Sequence, residues 1–207
     1  MGTLLDLLVG LDHSAIRVTD ELRWAPATAV LALISAWWVK GPLLVAVGWG
    51  ADLRCGRRFP LAALAATCAF FLASGLNAVL KAIVDRSRPP EAIGLDALVG
   101  VPASPSFPSG HAMSAFAVAG AIALVAPRLR VPVLTLAAAI AFSRVYLGVH
   151  FWLDVLVGSA LGLAIGALAA TALRLPLRRQ MASRAAIAPR RRVRSRAREP
   201  VVRRASR

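Results

Sequence analysis

FPLAALAATCAFFLASGLNAVL, residues 59–80, runs for 22 positions without an Asp, Glu, Lys or Arg and then meets Lys81. At 1.5 Å of rise per residue, about 20 apolar residues in a helix cross the hydrocarbon core of a bilayer. Two more uncharged runs follow: Ala97–Pro127, 31 residues, and Val155–Leu173, 19 residues. The chain as a whole agrees with them. Of its 207 residues 58% are hydrophobic and only 17% charged, with a mean hydropathy of +0.67. A soluble domain is about 45–50% apolar and about 25% charged. The sequence therefore excludes a soluble globular protein and points to one integral membrane domain.

The net charge of +15 has to be located before it is interpreted. Residues 174–207 hold thirteen Arg and one Glu, so +12 sits in this tail; the preceding part carries twelve basic and nine acidic groups, or +3. Basicity is thus a property of an appendage, and no nucleic-acid partner is expected. The scarcity of lysine (Lys40 and Lys81 alone) beside abundant Arg and Ala suits a GC-rich bacterial genome. Cys55 and Cys68 make neither a disulfide framework nor a metal motif. Asp6 stands where a signal peptide would be basic, so no cleavable leader is expected.

Residues 4–23 mix Leu4, Leu7, Leu8 and Leu11 with Arg17, Asp20, Glu21 and Arg23, the pattern of an amphipathic helix at the membrane interface. Trp24–Val39 and Gly41–Ala51 are apolar on either side of Lys40 and Pro42. They read either as two short segments or as an interfacial helix leading into one span. Trp37, Trp38 and Trp49 suit the headgroup belt. Helices are expected from about Pro60 to Val84, Ser109 to Ala126, Val131 to Leu147 and His150 to Leu173. In the last, Gly158, Ala160, Gly162 and Gly166 would permit close helix contact. The expected architecture is all-α: five or six membrane helices (24–173), an amphipathic N-terminal segment (1–23) and a disordered, Arg-rich cytoplasmic tail (174–207). Contact of that tail with anionic inner-leaflet lipids and a dispensable solvated extension fit it equally. The sequence says nothing of oligomeric state.

The helix from Pro60 ends at Lys81 and the next begins at Ser109, so these ends share a face with the later turn around Arg144–His150. Arg54, Arg57, Arg58, Arg128, Arg130 and the tail fall on the opposite face. The positive-inside rule makes that face cytoplasmic and turns Lys81, His111 and His150 outward.

Three groups on this outer face carry ionisable side chains, which at membrane helix ends point to function by default. Lys81 and Arg88, in Lys81-Ala-Ile-Val-Asp-Arg-Ser-Arg88-Pro89, are two helical turns apart, although Pro89 disfavours helix at Arg88 and allows it to reach in from a loop. Two converging cations suit a phosphate; a basic helix end snorkelling to headgroups uses the same residues. Phe107-Pro108-Ser109-Gly110-His111 opens a helix with Ser109 as N-cap, Gly110 admitting close approach, free N–H groups for an anion and an imidazole for proton transfer. A capped helix with an interfacial His is the plainer reading. In Ser143-Arg144-Val-Tyr-Leu-Gly-Val-His150-Phe-Trp-Leu-Asp154, His150 and Asp154 are i, i+4 neighbours. A carboxylate on one imidazole nitrogen leaves the other basic; a structural His–Asp pair fits as well. His13, the third histidine, sits in the amphipathic segment and is read as an ordinary interfacial residue.

K-x6-R-P, P-S-G-H and S-R-x5-H-x3-D in this order resemble the three signature motifs of the type-2 phosphatidic acid phosphatase superfamily. The match covers about Lys81 to Asp154. The resemblance implies His150 as nucleophile through a phosphohistidine, oriented by Asp154, with His111 protonating the leaving oxygen and then activating water. Lys81, Arg88, Arg144, Ser109 and the Gly110 N–H would hold the phosphate, and no metal or other cofactor is implied. The implied enzyme is a hydrolase of the bacterial inner membrane acting on a lipid phosphate at the extracytoplasmic face. A polyprenyl diphosphate such as the undecaprenyl pyrophosphate of cell-wall synthesis is the favoured substrate. A lipid monophosphate (phosphatidic acid, phosphatidylglycerophosphate or decaprenylphosphoryl-phosphoribose) is the alternative. An inactive lipid-binding or transport protein is the alternative of another class; against it, no motif position is missing.

Overall fold

The computed structural model describes residues 3–36, 38–56 and 59–187. Among them every regular element is helical. Eight α-helices run in chain order: α1 Leu4–Glu21, α2 Ala25–Ile34, α3 Leu44–Arg54, α4 Leu61–Ile83, α5 Pro89–Ile93, α6 Gly110–Val125, α7 Arg130–Tyr146 and α8 Trp152–Ile187. A π-helical turn, Val39–Leu43, joins α2 to α3, and a 3-10 turn, Pro127–Leu129, joins α6 to α7. Pro42 lies inside the π-turn, where its missing N–H and bulky ring disrupt an ordinary α-helical ladder.

Helix α6 is the hub. It is apolar on all sides, and a helix of that kind has to be surrounded by protein or lipid. Here protein surrounds it: from Ala112 to Val125 nearly every residue is buried. Helix α4 meets it with an alanine stripe at helical spacing, Ala62, Ala65, Ala66, Ala69 and Ala73, and turns Phe71, Leu72, Val79 and Ile83 outward. Helix α8 meets it backbone to backbone. A Cβ at Gly162 would stand 2.3 Å from the Met113 carbonyl oxygen, one at Gly166 2.3 Å from that of Ala117, and one at Gly158 2.8 Å from that of Ser109. The glycine stripe therefore has the close-contact role expected of it, with one correction. Ala160 is exposed, because it lies off the 158–162–166 line.

Three helical stretches among the described residues are long and apolar enough to cross a membrane: Leu61–Ile83, Pro127–Tyr146 and Trp152–Leu175. Ala25–Ile34 and Gly110–Val125 are apolar but shorter. At 16 residues α6 rises only about 24 Å. Length and composition thus single out three spans, where the sequence reading expects five or six. The helix expected to end near Leu173 continues as α8 to Ile187, so the tail is not disordered from residue 174. Residues 188–207, Trp37, Arg57 and Arg58, to which the sequence reading gave roles, lie outside the described residues.

Helix α1 forms over the expected interval. Thr3 and Asp6 close a capping box at its start. Its leucine face stays exposed (Leu4, Leu7, Leu8, Leu11), while Ile16 is fully buried against Phe151, Val155 and Leu95. At its end Arg23 donates to the carbonyls of Tyr146 (3.1 Å) and Asp96 (2.8 Å), and the Trp24 N–H donates to the Tyr146 hydroxyl at 2.7 Å. This puts α1 at the same end of the bundle as the α7–α8 turn. At the other end the buried Asp52 accepts from the Ala63 N–H at 3.0 Å and caps the start of α4.

Candidate active site

Arg88 does not continue α4. That helix stops at Ile83, and Arg88 enters from the loop in extended conformation (φ −81°, ψ 161°) as the residue before Pro89, which opens α5. Of the two geometries that the sequence allows, the loop geometry is the one adopted. The guanidinium is buried and donates to the carbonyls of Ser104 (2.8 Å) and Val149 (2.7 Å), with longer bonds to the Ser104 hydroxyl and the Pro105 carbonyl at 3.3 Å each. Lys81, in the last turn of α4, reaches the same segment: its ammonium donates to Ser104 Oγ at 3.2 Å and to the Pro105 carbonyl. The two cations of the first motif converge on one loop. A cavity of about 580 Å³ opens beside Lys81, lined also by Ser74, Asn77, Asp85 and Ser104.

His150 sits in the turn between α7 and α8. Gly148, at φ 75°, makes the left-handed bend that starts this turn; a side chain there would also strike Arg23 and the Asp96 carbonyl. The imidazole is buried, with Nε2 at 3.2 Å from Arg88 Nη1 and Nδ1 at 3.4 Å from Ser106 Oγ and 3.5 Å from Asp154 Oδ2. A guanidinium can only donate, so Nε2 must accept and the ring proton belongs on Nδ1, facing the carboxylate. Burial pushes His150 down to about 4, with the Arg88 and Arg144 charges acting the same way and Asp154 opposing them. At neutral pH the ring is therefore uncharged, with a lone pair aimed at a fixed cation. Burial also lowers Arg88, against the pull of Asp154 and Glu91.

Asp154 is brought to His150 as the i, i+4 spacing expects, but it is held by other groups. Oδ2 accepts from Ser106 Oγ at 2.5 Å and from the Phe151 N–H at 2.9 Å, and Oδ1 pairs with Arg86 at 2.6 Å. Its contact with the imidazole is the longest of the four.

Ser109 occupies the N-cap position of α6 without making the cap bond. Its N–H donates to the Asp154 carbonyl at 3.0 Å, which ties the second motif to the third, while its hydroxyl is buried with no partner among the described residues. A buried donor left so costs about 1–3 kcal/mol, the kind of cost retained at binding sites. Gly110 also meets a packing constraint. A Cβ there would come within 2.8 Å of Asn77 Oδ1, and Asn77 in turn donates to the Pro108 carbonyl at 3.0 Å. His111 follows in the first turn of α6, half-buried. Arg144 is buried, donates to the Ser35 hydroxyl at the end of α2, and keeps Nε without a partner among the described residues.

Sequence reasoning missed Arg86, Ser106, Asn77 and Asp12. Arg86 lies inside the first motif group, and a second Arg two positions before Arg88 was a signal available for it.

This constellation coincides with a family match. The PAP2 superfamily profile matches residues 61–176, more than half of the chain. The chain belongs to the PAP2 superfamily. Among solved PAP2 structures it is similar to the transmembrane PAP2-type phosphatidylglycerolphosphate phosphatase of Bacillus subtilis. That likeness has a TM-score of 0.66 and 30% identity, covering 79% of this chain and 84% of that one. LpxE of Aquifex aeolicus is similar with a TM-score of 0.61 and 25% identity, over 75% and 92% of the two chains. In sequence it is 41% identical over 106 residues to the decaprenylphosphoryl-5-phosphoribose phosphatase of Mycobacterium tuberculosis. It is 39% identical over 99 residues to that of Mycolicibacterium smegmatis. These two alignments span 58% and 51% of the relatives' own lengths. All the residues of this site except Asp12, Arg23 and Ser35 fall inside the PAP2 match.

Proposed function

We propose that the chain is a lipid phosphatase that cleaves a phosphomonoester through a phosphohistidine at His150. The observation that carries this is the orientation of one ring: Nε2 faces Arg88 at 3.2 Å while Nδ1 faces Asp154. Nε2 attacks phosphorus as the ester P–O bond breaks, and His111 gives its proton to the departing oxygen. Nδ1–H stays on the ring, and Asp154 stabilises the cation that forms. Water then attacks the phosphohistidine, the P–N bond breaks, and the proton of the water returns to His111. Lys81, Arg88 and Arg144 supply fixed positive charge for the phosphate oxygens, with the Ser109 hydroxyl and the Gly110 N–H completing the cradle. No metal has a part in these steps.

A phosphomonoester on a polyprenyl-linked sugar is the favoured substrate, supported by the resemblance to the mycobacterial decaprenylphosphoryl-5-phosphoribose phosphatases. This departs from the polyprenyl diphosphate that the sequence alone favours. The reaction takes place at the outer face of a bacterial inner membrane. Arg54, Arg128 and Arg130, all exposed, support placing their end in the cytoplasm. Residues 24–173 form the membrane unit, with α2, the π-turn and α3 making one interrupted crossing and the basic tail inside. Phosphate release by the purified protein, measured on decaprenylphosphoryl-5-phosphoribose, phosphatidylglycerophosphate, phosphatidic acid and undecaprenyl pyrophosphate, tests the substrate. The first should give the highest kcat/KM, and dominance of the last would restore the diphosphate reading. His150→Ala should lower kcat by at least about 10⁴-fold. Failure of acid-quenched enzyme to retain label from the radiolabelled substrate would remove the mechanism.

A further inference from the structure

Asp12 lies in α1, outside residues 61–176, and belongs to none of the three motifs. An aspartate in an amphipathic helix is ordinarily solvated. This one is buried, with a side chain only 1% exposed. Its Oδ1 accepts from the Leu153 N–H at 3.0 Å, one residue before Asp154, and its Oδ2 pairs with Arg86 Nη2 at 2.8 Å. The other terminal nitrogen of Arg86 pairs with Asp154 Oδ1 at 2.6 Å. The guanidinium lies over the Phe151 ring, 4.3 Å from its centre, and His13 stacks on the same ring at 4.9 Å. One cation is thus clamped between two carboxylates, and one of those carboxylates faces the His150 ring.

The charges along this line alternate: Asp12 negative, Arg86 positive, Asp154 negative, then an imidazole that turns cationic as Nε2 bonds to phosphorus. Arg86 alone would neutralise Asp154 and draw it from Nδ1. Asp12 engages half of the guanidinium and leaves the field of Asp154 available to the ring at that moment. Through the Leu153 N–H it also fixes the backbone from which Asp154 projects.

We propose that Asp12, acting through Arg86, is a positioning residue for His150, so that α1 is part of the catalytic apparatus. The proposal rests on the phosphohistidine reading and deepens it.

The test uses the full-length protein in detergent, with radiolabelled decaprenylphosphoryl-5-phosphoribose as probe. Asp12→Asn is the informative variant, because its amide oxygen still accepts the Leu153 N–H while the charge, and with it the acceptor facing Arg86, is lost. The buried Ile16 and the Trp152 Nε1–Thr19 Oγ1 bond at 3.1 Å keep α1 docked. In single-turnover experiments Asp12→Asn should slow phosphoenzyme formation and lower kcat by about 10- to 100-fold, short of the about 10⁴-fold that a directly bonded carboxylate can command. KM should change by less than about threefold. In an Arg86→Gln background the same substitution should cost less than about twofold, because the relay is already cut. A label yield and rate equal to wild type in Asp12→Asn would overturn the proposal. So would an undiminished loss in the Arg86→Gln background, which would make Asp12 a mere anchor for α1. Should wild type itself trap no label, the phosphohistidine reading fails first, and the two failures are told apart.

Discussion

The bundle has a cavity with cations beside it toward each end, and the two differ in how those cations are held. Beside Lys81 a space of about 580 Å³ adjoins a loop that is gripped by both Lys81 and the buried Arg88, and behind that loop stand His150 and Asp154. At the opposite end about 660 Å³ lies between the end of α3 and the α6–α7 turn, lined by Arg54 and Arg128 along with Val47, Gly50 and Leu129. Arg54 and Arg128 are exposed, free to follow lipid headgroups or water. Counting cations does not separate the two places. Burial does: a guanidinium 2% exposed and bonded to carbonyls has a fixed position, and a fixed charge can stabilise a transition state without reorganising.

The comparison breaks most readily at Arg88. Arg88→Gln should reduce kcat by about 10²- to 10³-fold in a phosphate-release assay; a loss below about tenfold would make Arg88 no different from the cations at the far end. A second measurement sharpens the contrast through pH. Since burial and neighbouring cations hold His150 at about 4, the acid limb of kcat/KM that reports this ring should lie well below 6.5, and neutral enzyme should persist to about pH 5. Removing a positive neighbour favours the protonated ring, so the limb should move toward neutral pH in Arg88→Gln. A limb near 6.5 in wild type would contradict the buried, cation-flanked imidazole. The smallest effect belongs to the other cavity: Arg128→Gln should leave kcat, KM and the pH profile within about twofold of wild type.

Much of the bundle was legible in the sequence. Helix α4 begins and ends within a residue or so of the interval read from the uncharged run and its flanking Pro60 and Lys81, because a charge or a proline at the end of an apolar run is a physical stop. That Lys81, Arg88, His150 and Asp154 gather at one end was also legible, because the order of the helix ends puts the three motif groups on one face. What the sequence hid depends on contacts between distant segments. Nothing local in the sequence tells that Asp154 would bond Ser106 and Arg86 more closely than His150, or that Gly110 answers to Asn77. Asp12 was hidden most deeply, because its helix has the pattern of a surface helix and only the packed structure shows which of its charges is covered. The short α5 escaped for another reason: five residues, the first two of them prolines, carry no periodicity to detect.

The main-chain contact along Gly158, Gly162 and Gly166 bears on how a substrate gets in. Side chains can rotate aside, but carbonyl oxygens locked against another helix's backbone cannot, so α6 and α8 behave as one stiff beam bearing His111 on one limb and Asp154 on the other. For the bulky, long-tailed substrate proposed above, any breathing that admits it is therefore left to parts without such main-chain contact, α1 and the outward flank of α4; the 94–106 loop is itself pinned by main-chain bonds from Leu98 to Leu147 and from Ser106 to Arg86.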